Sequence, residues 1–192
     1  TVLNHPLAEH LMAGLRNKDT APEHFRHCAR RITTLLAIEA TREMKVAKCS
    51  VETPLETMQG KDFVQGLSVV PVLRAGLAML EPIVELFPDV SVGYIGLERN
   101  HATAVAHSYY VKLPKLAGRY TLCVDPMLAT GGSASQAISM LKAGNPASIV
   151  MVSVVAAPDG VARIERDHPD VPIIIGALDR GLNDKKYILP GL

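Results

Sequence analysis

Asp125 and the run Thr130-Gly131-Gly132-Ser133 are the residues whose types and spacing first suggest chemistry. Asp125 closes a short apolar run, Tyr120 to Val124, and the run of small residues opens a helical pattern, Ala134 to Leu141. Glycines let backbone N–H groups come close to an anion, and a helix N-terminus favours negative charge. Thr130 and Ser133 add hydroxyl donors, and a carboxylate at the strand end can accept from sugar hydroxyls. A phosphate beside a ribose is the ligand this pattern suits. An isolated Thr-Gly-Gly serves equally well as an ordinary turn between strand and helix. The acid and the flanking hydroxyls shift the weight towards a ligand. The loop carries neither Gly-Lys-Ser/Thr nor Gly-x-Gly-x-x-Gly, so it is neither a Walker loop nor a dinucleotide fingerprint.

Two arginines stand at the ends of other apolar runs. Pro71-Val-Leu-Arg-Ala-Gly76 places Arg74 before a glycine and a helix, and Leu97-Glu-Arg-Asn100 places Arg99 likewise at a strand end. Taken alone, each reads as a surface ion-pair partner. Beside a phosphate loop the pair suits a polyphosphate, because guanidinium forks match phosphate oxygens.

The elements that must position these groups follow from the hydrophobic pattern. Leu67–Leu73, Ser91–Leu97, Tyr120–Val124, Ser148–Ala157 and Val171–Leu178 are apolar, β-branched runs. Helical patterns at Gly76–Leu86, Ser133–Ala143 and Gly160–Asp167 separate three of the pairs. Runs without polar alternation imply burial on both faces, and strand–helix alternation implies a parallel sheet. Ligands of such sheets bind at the C-terminal strand ends, where Arg74, Arg99 and Asp125 all fall. Upstream, Pro6–Arg16 reads as a short helix. Thr20-Ala-Pro-Glu23 reads as a capping box that opens a helix ending near Arg42, with Phe25, Ile32, Leu35, Leu36 and Ile38 as its apolar positions. Val46–Phe63 is turn-rich with room for a β-excursion, and Glu98–Lys115 reads as a flap or a two-stranded excursion.

Composition sets the outer bounds. The chain has 192 residues, the size of one α/β domain. Only 4% of residues are aromatic, so the core must rest on aliphatic side chains and methionine, with Met12, Met44, Met79, Met140 and Met151 as fillers. The net charge of +1 offers no broad attraction to nucleic acid or to an anionic membrane. Cys28, Cys49 and Cys123 form no disulfide framework and suit a reducing cytoplasm, with Cys123 as a buried small hydrophobe. No apolar run reaches membrane-spanning length, and no signal-peptide pattern opens the chain. Both ends read as clipped, on Thr1 and on Leu192.

Val124-Asp-Pro-Met-Leu-Ala-Thr-Gly-Gly-Ser133 resembles the phosphoribosyl pyrophosphate (PRPP) loop of uracil phosphoribosyltransferases. Val70–Leu77, Ala156–Gly160, Tyr187–Leu192, His5-Pro6-Leu7 and Leu36–Arg42 resemble further segments of that family, so the likeness spans essentially the whole chain. Pro126, where most phosphoribosyltransferases carry a second acid, is similar to the uracil branch.

The resemblance implies a phosphoribosyltransferase-type α/β fold, a Rossmann-like parallel sheet flanked by helices, with a flap or β-arm and a small C-terminal hood. It implies one domain over residues 1–192, with N-terminal helices at 5–43, a core at 65–178 and a base-binding segment at 179–192. Donor contacts are then expected from Arg74, Ala75, Gly76, Arg99, Asp125, Pro126, Met127, Leu128, Ala129, Thr130, Gly131, Gly132 and Ser133. Among them Asp125 takes the ribose hydroxyls, Ala129–Ser133 the 5′-phosphate, and Arg74 and Arg99 the pyrophosphate. Tyr187, Ile188, Leu189 and Pro190 would form the uracil site, with backbone groups of Ile188 reading the base. The implied reaction joins uracil and PRPP to give UMP and pyrophosphate. Mg²⁺ is held mainly by PRPP and water rather than by side chains. A homodimer or higher oligomer follows by family, with GTP as a candidate effector. The family continues past Pro-Gly-Leu with Gly-Asp-Ala, so the segment reads as truncated here. That motivates the alternative of a catalytically impaired nucleotide-binding regulator. In the flap, His101 and Ala102 follow Asn100 where the family often has an acid pair, and Glu98 replaces a common aromatic. His24 and His27 share a helix face without metal-spaced partners, and Asp179–Asn183 reads as a turn that supports the base segment.

Overall fold

The computed structural model describes the backbone of residues 1–99 and 106–192, and the side chains outside 99–107. In chain order the elements are α1 (Pro6–Arg16), α2 (Pro22–Ala40), β1 (Val46–Glu52), β2 (Thr57–Phe63), β3 (Leu67–Leu73) and α3 (Leu77–Leu86). There follow β4 (Ser91–Val92), β5 (Tyr94–Arg99), β6 (Ala106–Lys112), β7 (Tyr120–Val124), β8 (Met127–Leu128) and α4 (Gly132–Lys142). The chain closes with β9 (Ser148–Ala156), α5 (Pro158–Asp167), β10 (Ile173–Leu178), β11 (Gly181–Leu182) and β12 (Ile188–Leu189).

The main sheet runs β10-β9-β7-β3-β5-β6, with β4 beside β3 and β8 beside β9. Its pairs are parallel except β5–β6. Side chains alternate faces along a strand, and the alternation sorts the core in two. Leu67, Val69, Leu122, Val124, Val150 and Val152 join Ile32, Leu36, Met79 and Ile83 of α2 and α3 on one face. Val70, Val72, Cys123, Ile149 and Met151 join Ile138, Leu141 and Ile164 of α4 and α5 on the other. Burial of each such aliphatic side chain stabilises by roughly 1.5–3 kcal/mol. The result is a slab in which the C-terminal ends of the parallel strands all point one way, with β6 alone running opposite.

Several expectations need correction. The expected capping box does not form. Ala21 is the N-cap of α2 and makes no side-chain cap, while the Thr20 hydroxyl donates to the Gly14 carbonyl at 2.7 Å. A better use of that hydroxyl is to tie the α1–α2 turn. Phe25 and Ile38 are exposed, and Cys28, Ile32, Thr33, Leu36, Ala37 and Ala40 form the buried face of α2 instead. The run Ser91–Leu97 splits at Gly93 into β4 and β5. Of the two readings of Glu98–Lys115, the two-stranded one fits, since β6 pairs antiparallel with β5, and among the described residues β6 is an edge strand of the main sheet. Of the flap positions, Asn100, His101 and Ala102 lie outside the described residues. Other expectations hold: Val46–Phe63 carries its β-excursion as a two-stranded arm, β1 with β2. Met12, Met44, Met79 and Met151 are buried as fillers, as is Cys123, whose thiol is pushed well above its usual range by burial.

Candidate active site

The first part of the site is the loop after β7. Asp125 continues the ladder, its N–H donating to the Val152 carbonyl at 3.1 Å. Its carboxylate turns back, and Oδ1 accepts from the Met127 N–H at 3.3 Å. Pro126, with no N–H to lose, offers its carbonyl to Val154 and Val155 at 3.1 and 3.0 Å. Met127–Leu128 then pairs as β8 with the end of β9, an element the sequence reading took as plain loop. Next comes Gly131, the N-cap of α4, at φ +74° and without a side-chain cap. A Cβ there would sit 2.9 Å from the Gly160 carbonyl. Only glycine meets both demands, the left-handed backbone and the close approach to α5.

Asp125, Met127, Leu128, Ala129, Gly131, Gly132, Ser133 and Ala134 line a cup of about 50 Å³ at this point. The first N–H groups of α4 have no intrahelical acceptor, and a helix start of this kind favours negative charge. Pro126 and Thr130 shape the loop from outside the cup lining. Behind the cup, α5 is braced on α4. The Ser135 hydroxyl donates to Asp167 at 2.9 Å, and His168 Nε2–H donates to the Ser135 carbonyl at 2.9 Å. Hydrogen bonds from Arg166, Ser135 and Arg163 hold the Asp167 carboxyl well below its usual value, at about 2.

The second part is the loop after β3. Gly76 packs so closely that a Cβ would lie 2.6 Å from the Val124 carbonyl and 2.7 Å from Val72. That contact sets Arg74-Ala75-Gly76 against the strand end that carries Asp125. Arg74 is exposed and, among the described residues, makes no hydrogen bond or ion pair. With Leu73, Ala75, Leu97, Glu98 and Tyr109 it lines a cavity of about 780 Å³, in the range of small-molecule sites. Glu98 and Tyr109 come from the β5–β6 hairpin, so the edge strand walls this cavity. Arg99 ends β5 on the same side of the sheet, and its side chain lies outside the described residues, as does that of His107.

The third part is the C-terminal segment. β11 and β12 pair antiparallel, Gly181 with Leu189 and Leu182 with Ile188. The Asn183 N–H donates to the Tyr187 carbonyl at 2.9 Å, which makes Asn183–Tyr187 the hydrogen-bonded pair. Bonded and non-bonded pairs alternate in an antiparallel ladder, so the Ile188 N–H and C=O point away from β11. The Ile188 side chain is buried, Leu189 half-buried, and Tyr187 and Pro190 exposed. Asp179, at the end of β10, is buried and accepts from Arg16 of α1 and from the Gly191 N–H. Sequence reasoning gave Asp179 only a weak supporting role and missed Arg16, a basic residue in the last turn of a helix that looks like an ordinary dipole partner. His24 and His27 are exposed on α2, and among the described residues no cluster of three metal-capable side chains occurs.

The family model described as uracil phosphoribosyltransferase matches residues 2–192. Uracil phosphoribosyltransferases of Thermus thermophilus and Fervidobacterium nodosum are 43% and 47% identical, each over all of this chain and 93% of the relative. A solved Aquifex aeolicus protein superposes with a TM-score of 0.95 at 36% identity, over 100% of this chain and 93% of that one. A hypoxanthine-guanine phosphoribosyltransferase of Bacillus anthracis shares the fold, with a TM-score of 0.57 at 12% identity, over 82% of this chain and 80% of that one.

Proposed function

The chain belongs to the uracil phosphoribosyltransferase family, and from that premise we propose that it transfers the 5-phosphoribosyl group of PRPP to uracil, giving UMP and pyrophosphate. The observation that carries the reading is the junction of β3 and β7. There Gly76 against Val124 brings Arg74, unpaired among the described residues, near the strand end that carries Asp125 and the start of α4. The alternative of a catalytically impaired regulator finds no support in the family match.

We assign the donor's 5′-phosphate to the cup at Ala129–Ser133 and its ribose hydroxyls to Asp125. The pyrophosphate extends towards Arg74, Ala75 and Gly76, with Arg99 as a second cation. Breaking the anomeric C–O bond leaves positive charge on the ribose and negative charge on the departing pyrophosphate. Arg74 aimed at that group lowers the barrier by stabilising charge that grows only as the bond breaks. The positioning of two bound reactants supplies much of the rest, so no side-chain nucleophile is required. The wall formed by Glu98 and Tyr109 would exclude water, since water competes with uracil for the ribosyl carbon. Uracil rests against Tyr187–Pro190, where the outward N–H and C=O of Ile188 offer one donor and one acceptor. Cytosine, with its donor and acceptor exchanged at that edge, would leave both buried groups unpaired.

The residues present fit Mg²⁺ brought by the donor itself. The cup offers a single carboxylate, Asp125, and this ion commonly keeps waters and substrate phosphates as its ligands. When bound, it adds positive charge at the leaving pyrophosphate. We also propose one phosphoribosyltransferase domain over residues 1–192, a cytoplasmic location and a homodimer. Free Cys28, Cys49 and Cys123 support the location. Exposed Val46, Val51, Met58 and Phe63 on the β1–β2 arm support the dimer. GTP as an effector rests on the resemblance alone and is tested by titrating GTP into the assay. The central test is UMP formation from uracil, PRPP and Mg²⁺. PRPP binding without any UMP would overturn the assignment.

A further inference from the structure

Arg16 has no place in the donor or base contacts assigned above, yet it is joined to the base segment through a buried acid. Its guanidinium spans both oxygens of Asp179, Nη2 to Oδ1 at 2.6 Å and Nη1 to Oδ2 at 3.1 Å. Nη1 also donates to the Gly191 carbonyl at 2.8 Å. Asp179 Oδ2 in turn accepts from the Gly191 N–H at 2.8 Å. Both backbone groups of Gly191 are therefore held by one ion pair, whose acid is only 3% exposed. The acid itself is anchored to the sheet, its N–H donating to Ala156 at 2.8 Å.

We propose that Arg16 and Asp179 are positioning residues that set the Ile188 backbone in register for the base. This rests on the assignment of Tyr187–Pro190 as the uracil site. The link runs through Gly191. At φ +74°, a Cβ on that glycine would sit 2.6 Å from the Ile188 carbonyl, so Gly191 lies directly against the group offered to the base. A shift of Gly191 carries the Ile188 carbonyl with it. Hydrogen bonds to the base edge lose strength steeply with such shifts, whereas the donor loop on β7 and α4 is left in place. A flat guanidinium fork can hold Asp179 and Gly191 together, and a lysine ammonium cannot reproduce that geometry. The clamp also makes the first helix, more than 160 residues away in sequence, part of base recognition.

The test is steady-state kinetics of Arg16→Lys in the purified protein, with uracil and PRPP varied separately. The expected result is a uracil KM raised about tenfold or more, a PRPP KM within about twofold, and a Tm close to that of the parent. A purely structural ion pair would lower Tm and move both KM values together or neither, and that outcome overturns the proposal. Should Arg16→Lys not fold, Asp179→Asn gives the same reading with a nearly isosteric side chain, and the same split is required of it. Ile188→Pro separates the two levels of inference, because it removes the outward N–H, which makes no ladder bond to β11. If Ile188→Pro raises the uracil KM and Arg16→Lys does not, the clamp fails alone. If Ile188→Pro leaves the uracil KM unmoved, the base-site assignment fails with it.

Discussion

Replacing Gly131 by alanine tests whether the donor cup depends on the close seating of its loop against α5. Gly118 supplies an internal control, since both residues sit at φ +74°. An L-residue in that region costs roughly 1–2 kcal/mol, and the two substitutions share this cost. They differ in their surroundings. A Cβ at Gly118 meets nothing within 4 Å, whereas at Gly131 it meets the Gly160 carbonyl at 2.9 Å and the Arg163 Cβ at 3.0 Å. The carbonyl is backbone and cannot swing aside. Nor can α5 retreat by rotating, because Gly160 is itself packed on the Leu128 and Ala129 carbonyls. Overpacking of this kind adds roughly 1–3 kcal/mol. Gly118→Ala should then cost about 1–2 kcal/mol and Gly131→Ala about 2–5 kcal/mol, read from urea midpoints at constant m. At about 2–4 °C per kcal/mol for a chain of this size, the two should also separate by several degrees in Tm. Function should divide more sharply. Gly118 precedes β7 at the end of the strand away from the cup, so its variant should keep the parent PRPP KM. Gly131→Ala should raise that KM about tenfold or more. Equal stability losses in the two variants, or an unmoved PRPP KM for Gly131→Ala, would refute the reasoning.

Arg74→Ala should lower kcat/KM by about a hundredfold or more, the usual cost of losing one charge-stabilising donor. Because Arg74 is exposed and unpaired among the described residues, its Tm should stay within about two degrees of the parent; a large Tm loss with activity retained would contradict the leaving-group role. Asp125→Asn should weaken PRPP binding by roughly 1.5–3 kcal/mol, the worth of hydrogen bonds to a charged group, as measured by calorimetry. Unchanged affinity would remove the ribose assignment. Asp167 gives a pH prediction. Its folded pKa of about 2 lies below the ordinary 3.8, so the unfolded chain binds more protons between those values. The contribution is present above pH 3.8 and is lost as pH falls towards 2. The Tm advantage of the parent over Asp167→Asn should be constant near neutrality and shrink across that acid window; an advantage that grows on acidification would overturn the assignment of its partners.

The sequence by itself determined the pieces that are written locally. Leu67–Leu73 and Tyr120–Val124 are bounded to the residue, because a strand buried on both faces is an apolar run that tolerates only a small polar side chain such as Ser68 or Thr121, and a charged residue, Arg74 or Asp125, ends it. Asp125 and Thr130–Ser133 were legible for a related reason, since a strand, an acid, glycines and a helix start are adjacent in the chain. Tertiary structure alone decided what depends on partners far away in sequence. Even the Thr20 hydroxyl had two local uses, as a cap and at Gly14 six residues back, and the geometry of the α1–α2 turn chose the second. The order of strands could not be read from the runs, because each is equally apolar and only packing of the helices selects the neighbours. Glu98–Lys115 could be read as a two-stranded excursion, but nothing in it marks that β6 joins the main sheet, since an edge strand with one exposed face looks like any polar excursion. The junction of Arg16, Asp179 and Gly191 is the extreme case. An arginine and an acid separated by 163 residues carry no spacing signal, and only the folded sheet brings the end of α1 to the end of β10, where a buried carboxylate must find a cation.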